Sequence, residues 1–458
     1  MTRSFPEAPV AAGISRRRIV AGGAALTALV PALAACGGDA QQSAPSAATQ
    51  VKGTIRFSHL GDPKQAGFWS KAAGIFSQQH PQIQLTAEPT WSWDNAKYIA
   101  EAVGDSAADV VWTSENYVTP LFARGVVQEV DQYVAKDKSF KPGDYFESVL
   151  TAYKFRNKQA GWPVNWGAYV LYYNKTLFER SGRKVPDDSW TWDTFLDAAK
   201  ALSRPSTDAA VTGQYGFETR WHENVFAPWI WNAGGEIFSA DGTKAMLDKN
   251  ETIEGLQYLV DLIHRHRVAI PPSEITTHRL GTNAFGITGK IGMVFNAIYF
   301  LPTYRQASDG LNGQDWDIAP IPKGKAGRTT TNPTAGVGLW KGSKSPEAAW
   351  TFMRWANSKE TAELWVQENM DGMPVHKGAA DLLLKDSRPP KSKQVFVDAF
   401  KYAKPAFTTP YGQRPMSVFK SAVAPVFNNG GNVRQAVTEA MVAVRTAMDE
   451  EVAADVKK

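Results

Sequence analysis

Cleaving a glycosidic bond takes two carboxylates flanking the sugar in an aromatic-lined cleft. Glu115, Glu223 and Asp371 are the candidates in this chain. Glu115 stands beside Asn116, and Trp221, Trp229, Trp231 and Asn232 crowd the stretch around Glu223. Three tryptophans cannot all be core in so short a loop, which leaves ring faces for a ligand. The same residue types also hold a sugar without cutting it. A pyranose offers C–H faces to aromatic rings and hydroxyls to Asp, Glu, Asn and Arg. Of the 16 tryptophans, Trp350 and Trp355 on a helix starting at Pro346, and Trp365, are expected in packing. Other chemistries lack their motifs: there is no Gly-x-Ser-x-Gly and no His-Glu-x-x-His. His264 and His266 are two apart on an expected helix, so they diverge and make no metal pair. Cys36 is the single cysteine, which leaves no disulfide framework and no second thiol. No catalytic residue, metal or cofactor is expected.

The element that must position such groups is Gly161–Lys175. Ala168-Tyr169-Val170-Leu171-Tyr172-Tyr173 is a continuous apolar and aromatic run. It suits a strand buried on both faces, as in a parallel sheet under helices. Asn165-Trp166-Gly167 precedes it: an amide, a flat ring and a free backbone that together can touch a polar ligand with an apolar face. The bland alternative is a core strand with a loop tryptophan at its mouth. Around this stretch, strand-like and helix-like segments alternate, which argues for α/β lobes with mostly parallel sheets. Strands are expected at 54–58, 83–85 and 109–112. Helices are expected over 68–79, over Asp193–Leu202 behind Thr191, along Ile253–Ile263, and along the stripe Val437, Met441, Val444, Met448. Ser345 and Pro346 mark another helix start.

The first residues read as an address. Ser15-Arg16-Arg17-Arg18 precedes an apolar run, Ile19 to Leu33, that is too short to stay in a bilayer. Leu33-Ala34-Ala35-Cys36 follows and resembles a bacterial lipobox. The expectation is a twin-arginine-type lipoprotein signal over residues 1–35 and a lipidated, flexible tether over 36–51, rich in small polar residues. Four arginines against Glu7 give the leader +3 of the chain's +5, so the remainder carries +2. That small excess gives no nucleic-acid reading. The roughly 400 residues beyond the leader are too many for one core and imply two lobes.

Five segments in order carry a family resemblance. They are Asp109-Val110-Val111 with Gly125, Trp162-Pro163 through Tyr173-Asn174-Lys175, Gly289-Lys290-Ile291-Gly292-Met293 with Asn296, Ile318-Ala319-Pro320-Ile321-Pro322, and Gly372-Met373-Pro374-Val375. The chain resembles the extracellular solute-binding proteins of carbohydrate ABC importers, the group that includes maltose-binding protein. The resemblance implies a two-lobe periplasmic-binding-protein fold, type II-like: two discontinuous α/β lobes joined by a three-segment hinge. Residues 52–165 plus 320–373 would form one lobe and 167–318 plus 375–458 the other. A sugar or oligosaccharide would sit between them and be delivered to membrane permease subunits by a lipid-anchored, extracytoplasmic monomer. Relatives of the fold bind glycerol phosphodiesters, and Arg414 could meet a phosphate. A secreted glycoside hydrolase is the further alternative.

The resemblance also implies ligand positions. Asp62, with Lys64 nearby, follows the first strand. Asn116 stands where the family has an acid, and Glu115 takes over its work. Asn165 and Trp166 lie at the first crossing, where a sugar-binding relative has glutamate in place of Gly167. Glu223 matches a ligand glutamate, with Trp221, Trp231 and Asn232 around it. Tyr299 stands where maltose binders stack a tryptophan. Gly336 and Gly338 offer backbone donors, and Tyr411 and Arg414 lie near the last ligand loop.

Lipidation is testable alone. Only a thiol can take the thioether lipid, so Cys36→Ser should move the protein from the detergent phase to the aqueous phase of fractionated cells. Unchanged detergent partitioning of the mutant would remove the lipoprotein reading.

Overall fold

The computed structural model describes residues 51–458, apart from 94, 209–211, 282, 307–314, 371, 407–408 and 457–458. The expected leader, Cys36, nearly all of the tether, and Asp371 lie outside the described residues. Eleven strands build two sheets: β1 (Gly53–Leu60), β2 (Ile83–Trp91), β3 (Val110–Thr113), β4 (Val127–Gln128), β5 (Trp162–Trp166), β6 (Tyr169–Asn174), β7 (Tyr215–Glu218), β8 (Ile291–Ala297), β9 (Trp316–Ala319), β10 (Thr334–Trp340) and β11 (Met373–Pro374). The first sheet runs β11-β5-β10-β3-β1-β2, with β4 on β10; the second runs β9-β6-β8-β7. The helices that matter below are α1 (Pro63–Gln79), α2 (Asn95–Val103), α3 (Glu115–Ala123), α4 (Trp192–Leu202), α5 (Glu223–Asn232), α6 (Asn250–His264), α7 (Pro346–Ala356), α8 (Gln413–Asn429) and α9 (Val433–Val456).

The helices start where their caps put them. Asp62 accepts from the Gln65 amide ahead of Pro63, and Thr191 and Thr194 form a reciprocal capping box at α4. β6 is buried along its whole length. Tyr169, Leu171 and Tyr173 face one apolar core, while Val170 and Tyr172 face another that is continuous with the core of the first sheet. Burial on both faces is as expected. The mostly parallel arrangement is not. β6 is antiparallel to both β8 and β9, and β10 is antiparallel to β3, β4 and β5. Only Gly167 and Ala168 separate β5 from β6, and the two strands belong to different sheets. No crossover long enough for a parallel return fits there.

Three passages join the sheets, and the first two lie side by side. Trp166 pairs with Thr334 on one side and with Met373 on the other. The Gly167 amide donates to the Pro333 carbonyl at 2.8 Å, and the Thr330 hydroxyl to the Tyr169 carbonyl at 2.7 Å. The second passage falls later than the expected 320. After β9 the chain turns at Gly324–Gly327 and stays with second-sheet elements. The Lys323 amide donates to Trp190 at 2.8 Å and that of Thr329 to Asn232 Oδ1 at 2.6 Å. The third passage is drawn out beyond 375. Lys377–Lys385 still packs on the helix Lys359–Gln367, and Gln394–Asp398 then packs on β6.

α5 and α6 cross closely because Gly255 has no side chain. A Cβ there would lie 2.4 Å from the Trp229 carbonyl oxygen and 2.8 Å from the Ile230 Cα. Alanine's better helix propensity is worth about 1 kcal/mol. Forcing α6 away from Trp229 costs about 1–3 kcal/mol or more. Gly255→Ala should therefore lower the melting temperature; a variant that melts at or above the parent would show that the crossing has slack.

Candidate ligand cleft

A cavity of about 460 Å³ opens where the two sheets' loops meet. Leu60 at the end of β1, Trp93 after β2, Trp112 on β3, Glu115 to Tyr117 at the start of α3, and Thr334 line it from the first sheet. His222, Glu223 and Asn224 at the start of α5, and Tyr299 after β8, line it from the second. Its size is that of a small-molecule site.

Three side-chain atoms on its walls are buried without a hydrogen-bond partner: Trp112 Nε1, Asn116 Oδ1 and Asn224 Oδ1. Native proteins leave few such atoms, because each unmade bond costs about 1–3 kcal/mol. The rings of Trp93, Trp112, Tyr117 and Tyr299 stand on these walls among mostly polar neighbours. Trp112 is fixed by stacking on Trp365 with an interplanar angle of 17°.

Glu115 is 1% exposed and opens α3. Its Oε2 accepts from the Thr334 amide at 3.0 Å and hydroxyl at 2.5 Å. Burial pushes its carboxyl up to about 7, against the pull of Thr334, and Glu223 adds to the rise. Glu223 moves the other way. Burial raises it, but His222 and the Lys420 ammonium, at 2.7 Å, outweigh that and hold it below the ordinary range. His222 caps α5 by accepting from the Asn224 amide at 3.2 Å, and burial lowers its pKa. Among the described residues no lysine or arginine lines this cavity.

Glu115, Asn116, Asn165, Glu223 and Tyr299 stand together on its walls, and the Tyr299 hydroxyl meets that of Tyr169 at 2.9 Å. The other expected positions lie elsewhere. Asp62 is spent as the α1 cap. Trp166 is 1% exposed and packs on Phe146 and Phe400, because side chains alternate along β5 and Asn165 takes the cavity side. The three tryptophans of 221–231 pack after all: α5 carries Trp229 and Trp231, and Trp221 lies two residues before it. Trp221 donates to the Lys420 carbonyl at 2.8 Å among Phe226, Phe419 and Phe427. Trp229 is core, and Trp231 lies under the Lys404 ammonium at 4.4 Å, on a separate cavity. Asn232 is buried holding Thr329. Gly336 and Gly338 sit mid-strand in β10, paired to Thr113 and Val111, so their backbones serve the sheet. Arg414 faces an adjoining cavity and pairs with Glu450 at 2.6 Å; Tyr411 lines that cavity too. Lys64 donates to the Asn369 carbonyl. Sequence reasoning passed over Trp93, Trp112, Tyr117, His222, Asn224 and Thr334. The flanks of Glu223 could have signalled two of them, because a helix N-terminus aims its first residues into the space before it.

Residues 61–363 match the bacterial extracellular solute-binding proteins. The chain belongs to that family. Among curated relatives, the erythritol/L-threitol-binding protein of Mycolicibacterium smegmatis is 25% identical over 436 residues, covering 81% of this chain and 83% of that one. Among solved structures, an ABC substrate-binding protein of Listeria monocytogenes in complex with cycloalternan superposes with a TM-score of 0.76 at 22% identity, over 87% of this chain and 99% of the other. UgpB of Mycobacterium tuberculosis, in complex with glycerophosphocholine, gives 0.72 at 17%, over 88% and 100%. The two-lobe fold of the family is thus the fold of this chain, and it is a substrate-binding component of an ABC transporter. Among the described residues no helix is long and apolar enough to cross a membrane, and no cluster of ligating side chains could hold a metal ion.

The raised carboxyl of Glu115 predicts a pH slope. Between about 4.5 and about 7 the folded chain keeps a proton that the unfolded chain has lost. Stability from this group is therefore full below 4.5 and falls as pH rises to 7, by about 3 kcal/mol. Urea melts at pH 5 and pH 8 should show the unliganded Glu115→Gln variant losing less stability on alkalinisation than the parent. Equal losses would mean that Glu115 ionises freely in the fold.

Proposed function

We propose that the chain captures a neutral, hydroxyl-rich solute, a sugar or polyol, in this cleft and hands it to an ABC permease. The observation that carries this is the lining of the cavity, which among the described residues offers amides, a hydroxyl, carboxyls and aromatic rings but no lysine or arginine. A hydroxyl can both donate and accept, so it satisfies such a mixed set, while aromatic walls take C–H faces. A phosphodiester would need a cation. Lys420 is committed to Glu223, and Arg414, half-exposed, to Glu450. Named ligands of similar proteins, erythritol or threitol and cycloalternan, are neutral polyhydroxy compounds. The ligand is released unchanged: the family is one of solute-binding proteins, and Glu223 is held in an ion pair with Lys420. Export, a lipid anchor on Cys36 and action as a monomer complete the reading. The lobe boundaries that suit the fold fall at 167–168, 332–333 and between 386 and 394.

A thermal-shift panel of neutral sugars and alditols against glycerophosphodiesters tests this. Neutral compounds should raise the melting temperature and sn-glycero-3-phosphocholine should not. Trp112→Phe, which keeps the ring and deletes the N–H, should weaken the best neutral ligand by about 2- to 10-fold in calorimetric titration. A shift with phosphodiesters alone would overturn the proposal.

A further inference from the structure

The inner cavity continues beyond its own walls. A second cavity of about 610 Å³ adjoins it, and Trp93, Asn116, Tyr117 and Glu223 line both. These four residues make a neck, three reaching it from the first sheet's side and Glu223 from the second's. Trp93 is unusual there. Its φ is +56°, a left-handed conformation that a bulky side chain seldom adopts and that persists only where the surroundings enforce it. The residue is 38% exposed, and its ring leans on Tyr117 at 5.4 Å and on Trp91 at 6.2 Å. A wide apolar face is thus held out at the neck against its backbone preference.

The outer cavity repeats the chemistry of the inner one. Asn95 Oδ1 is another buried acceptor without a partner, and it lies on the outer wall. The cations there are neutralised: Arg124 by Glu451 at 2.8 Å, Arg414 by Glu450 at 2.6 Å and Lys420 by Glu223 at 2.7 Å. Arg124 to Glu451, and Gln413 Nε2 to the Asn116 carbonyl at 2.8 Å, also tie α3 to α9 and α8 beside this cavity. Amide side chains therefore line the cavities on both sides of an aromatic shelf, Asn165 and Asn224 within and Asn95 and Gln413 without.

We propose that the ligand is a neutral oligosaccharide of at least two rings that threads this neck. One ring occupies the inner cavity against Trp112 and Asn224. The next stacks on Trp93, with hydroxyls to Asn116 and Glu223, and reaches toward Asn95. A single sugar or a short alditol would fill the inner cavity and leave the Trp93 face and Asn95 unmatched. The inference rests on the sugar reading above.

Calorimetric titration of the full chain with glucose, maltose and maltotriose, with arabinose, arabinobiose and arabinotriose, and with erythritol tests it. In any series that binds, the disaccharide should bind at least about tenfold tighter than its monosaccharide, the scale of one added stacked ring. Trp93→Ala should lower disaccharide affinity by about tenfold and monosaccharide affinity by less, so that the gain from the second ring shrinks. Trp93→Gly should lose the same affinity while melting no lower than the parent, because glycine accepts the positive φ. That separates a binding role from a folding one. If a monosaccharide or erythritol binds as tightly as the disaccharides, or if Trp93→Ala changes nothing, the ligand ends inside the inner cavity; the inference falls and the sugar reading stands. If no neutral probe binds, the sugar reading falls and takes this inference with it.

Discussion

Everything in this molecule hangs on the place where two of the three chain passages cross side by side between the sheets. Trp166 is paired on both sides, to Thr334 and to Met373, and the Gly167 amide is bonded to Pro333. Gly167 is free of a side chain because Ile298 and Tyr299 stand 3.1 Å from where a Cβ would sit. The crossing therefore allows the two sheets to change their mutual angle only by bending the few residues beside these bonds. A hinge of that kind keeps its secondary structure while the cleft opens and closes.

Glu115 couples this hinge to the cleft. Its side chain lines the cavity, and its Oε2 holds both the amide and the hydroxyl of Thr334, the first residue of β10 after the second passage. A ligand hydroxyl bonded to Glu115 would therefore pull on the same group that anchors the crossing. Charge is arranged to leave that group sensitive. Around it Glu223 is paired with Lys420 and Arg124 with Glu451, and Glu223 still adds to the rise of the Glu115 carboxyl. What a neutral ligand finds is hydrogen-bonding capacity without net charge.

Much of the architecture was legible because it follows from local pattern. The unbroken apolar run at 169–173 is buried on both faces, and Thr191 caps α4. Strand direction was not legible. It depends on which sheet each strand joins, and the two-residue link at Gly167-Ala168 decides that only in three dimensions. The candidate site was legible in part. Glu115, Asn165, Glu223 and Tyr299 reach the cavity from elements the sequence marked. Trp166 failed by one residue, since a strand sends neighbours to opposite faces. Gly336 and Gly338 failed because a glycine's exposed backbone and a glycine's close packing look alike in sequence. At Gly336 a Cβ would lie 2.3 Å from the Trp162 carbonyl, so the missing side chain serves the sheet.

The abundance of tryptophan misleads for a related reason. Most of the rings build the two cores: Trp69, Trp112 and Trp365 pack together in one, and Trp229 stacks on Phe295 in the other. Only Trp93 and Trp112 reach the inner cavity. Composition counts both kinds alike, although burying a ring in a core and offering its face to a ligand make opposite demands on the backbone. A core ring sits wherever a regular strand or helix points it. A ring held out from the wall can be turned out of that register, and Trp93 is, with a positive φ in the loop after β2. The residue that best marks a recognition face in this chain is thus one whose local conformation disagrees with its size, and sequence carries no trace of that disagreement.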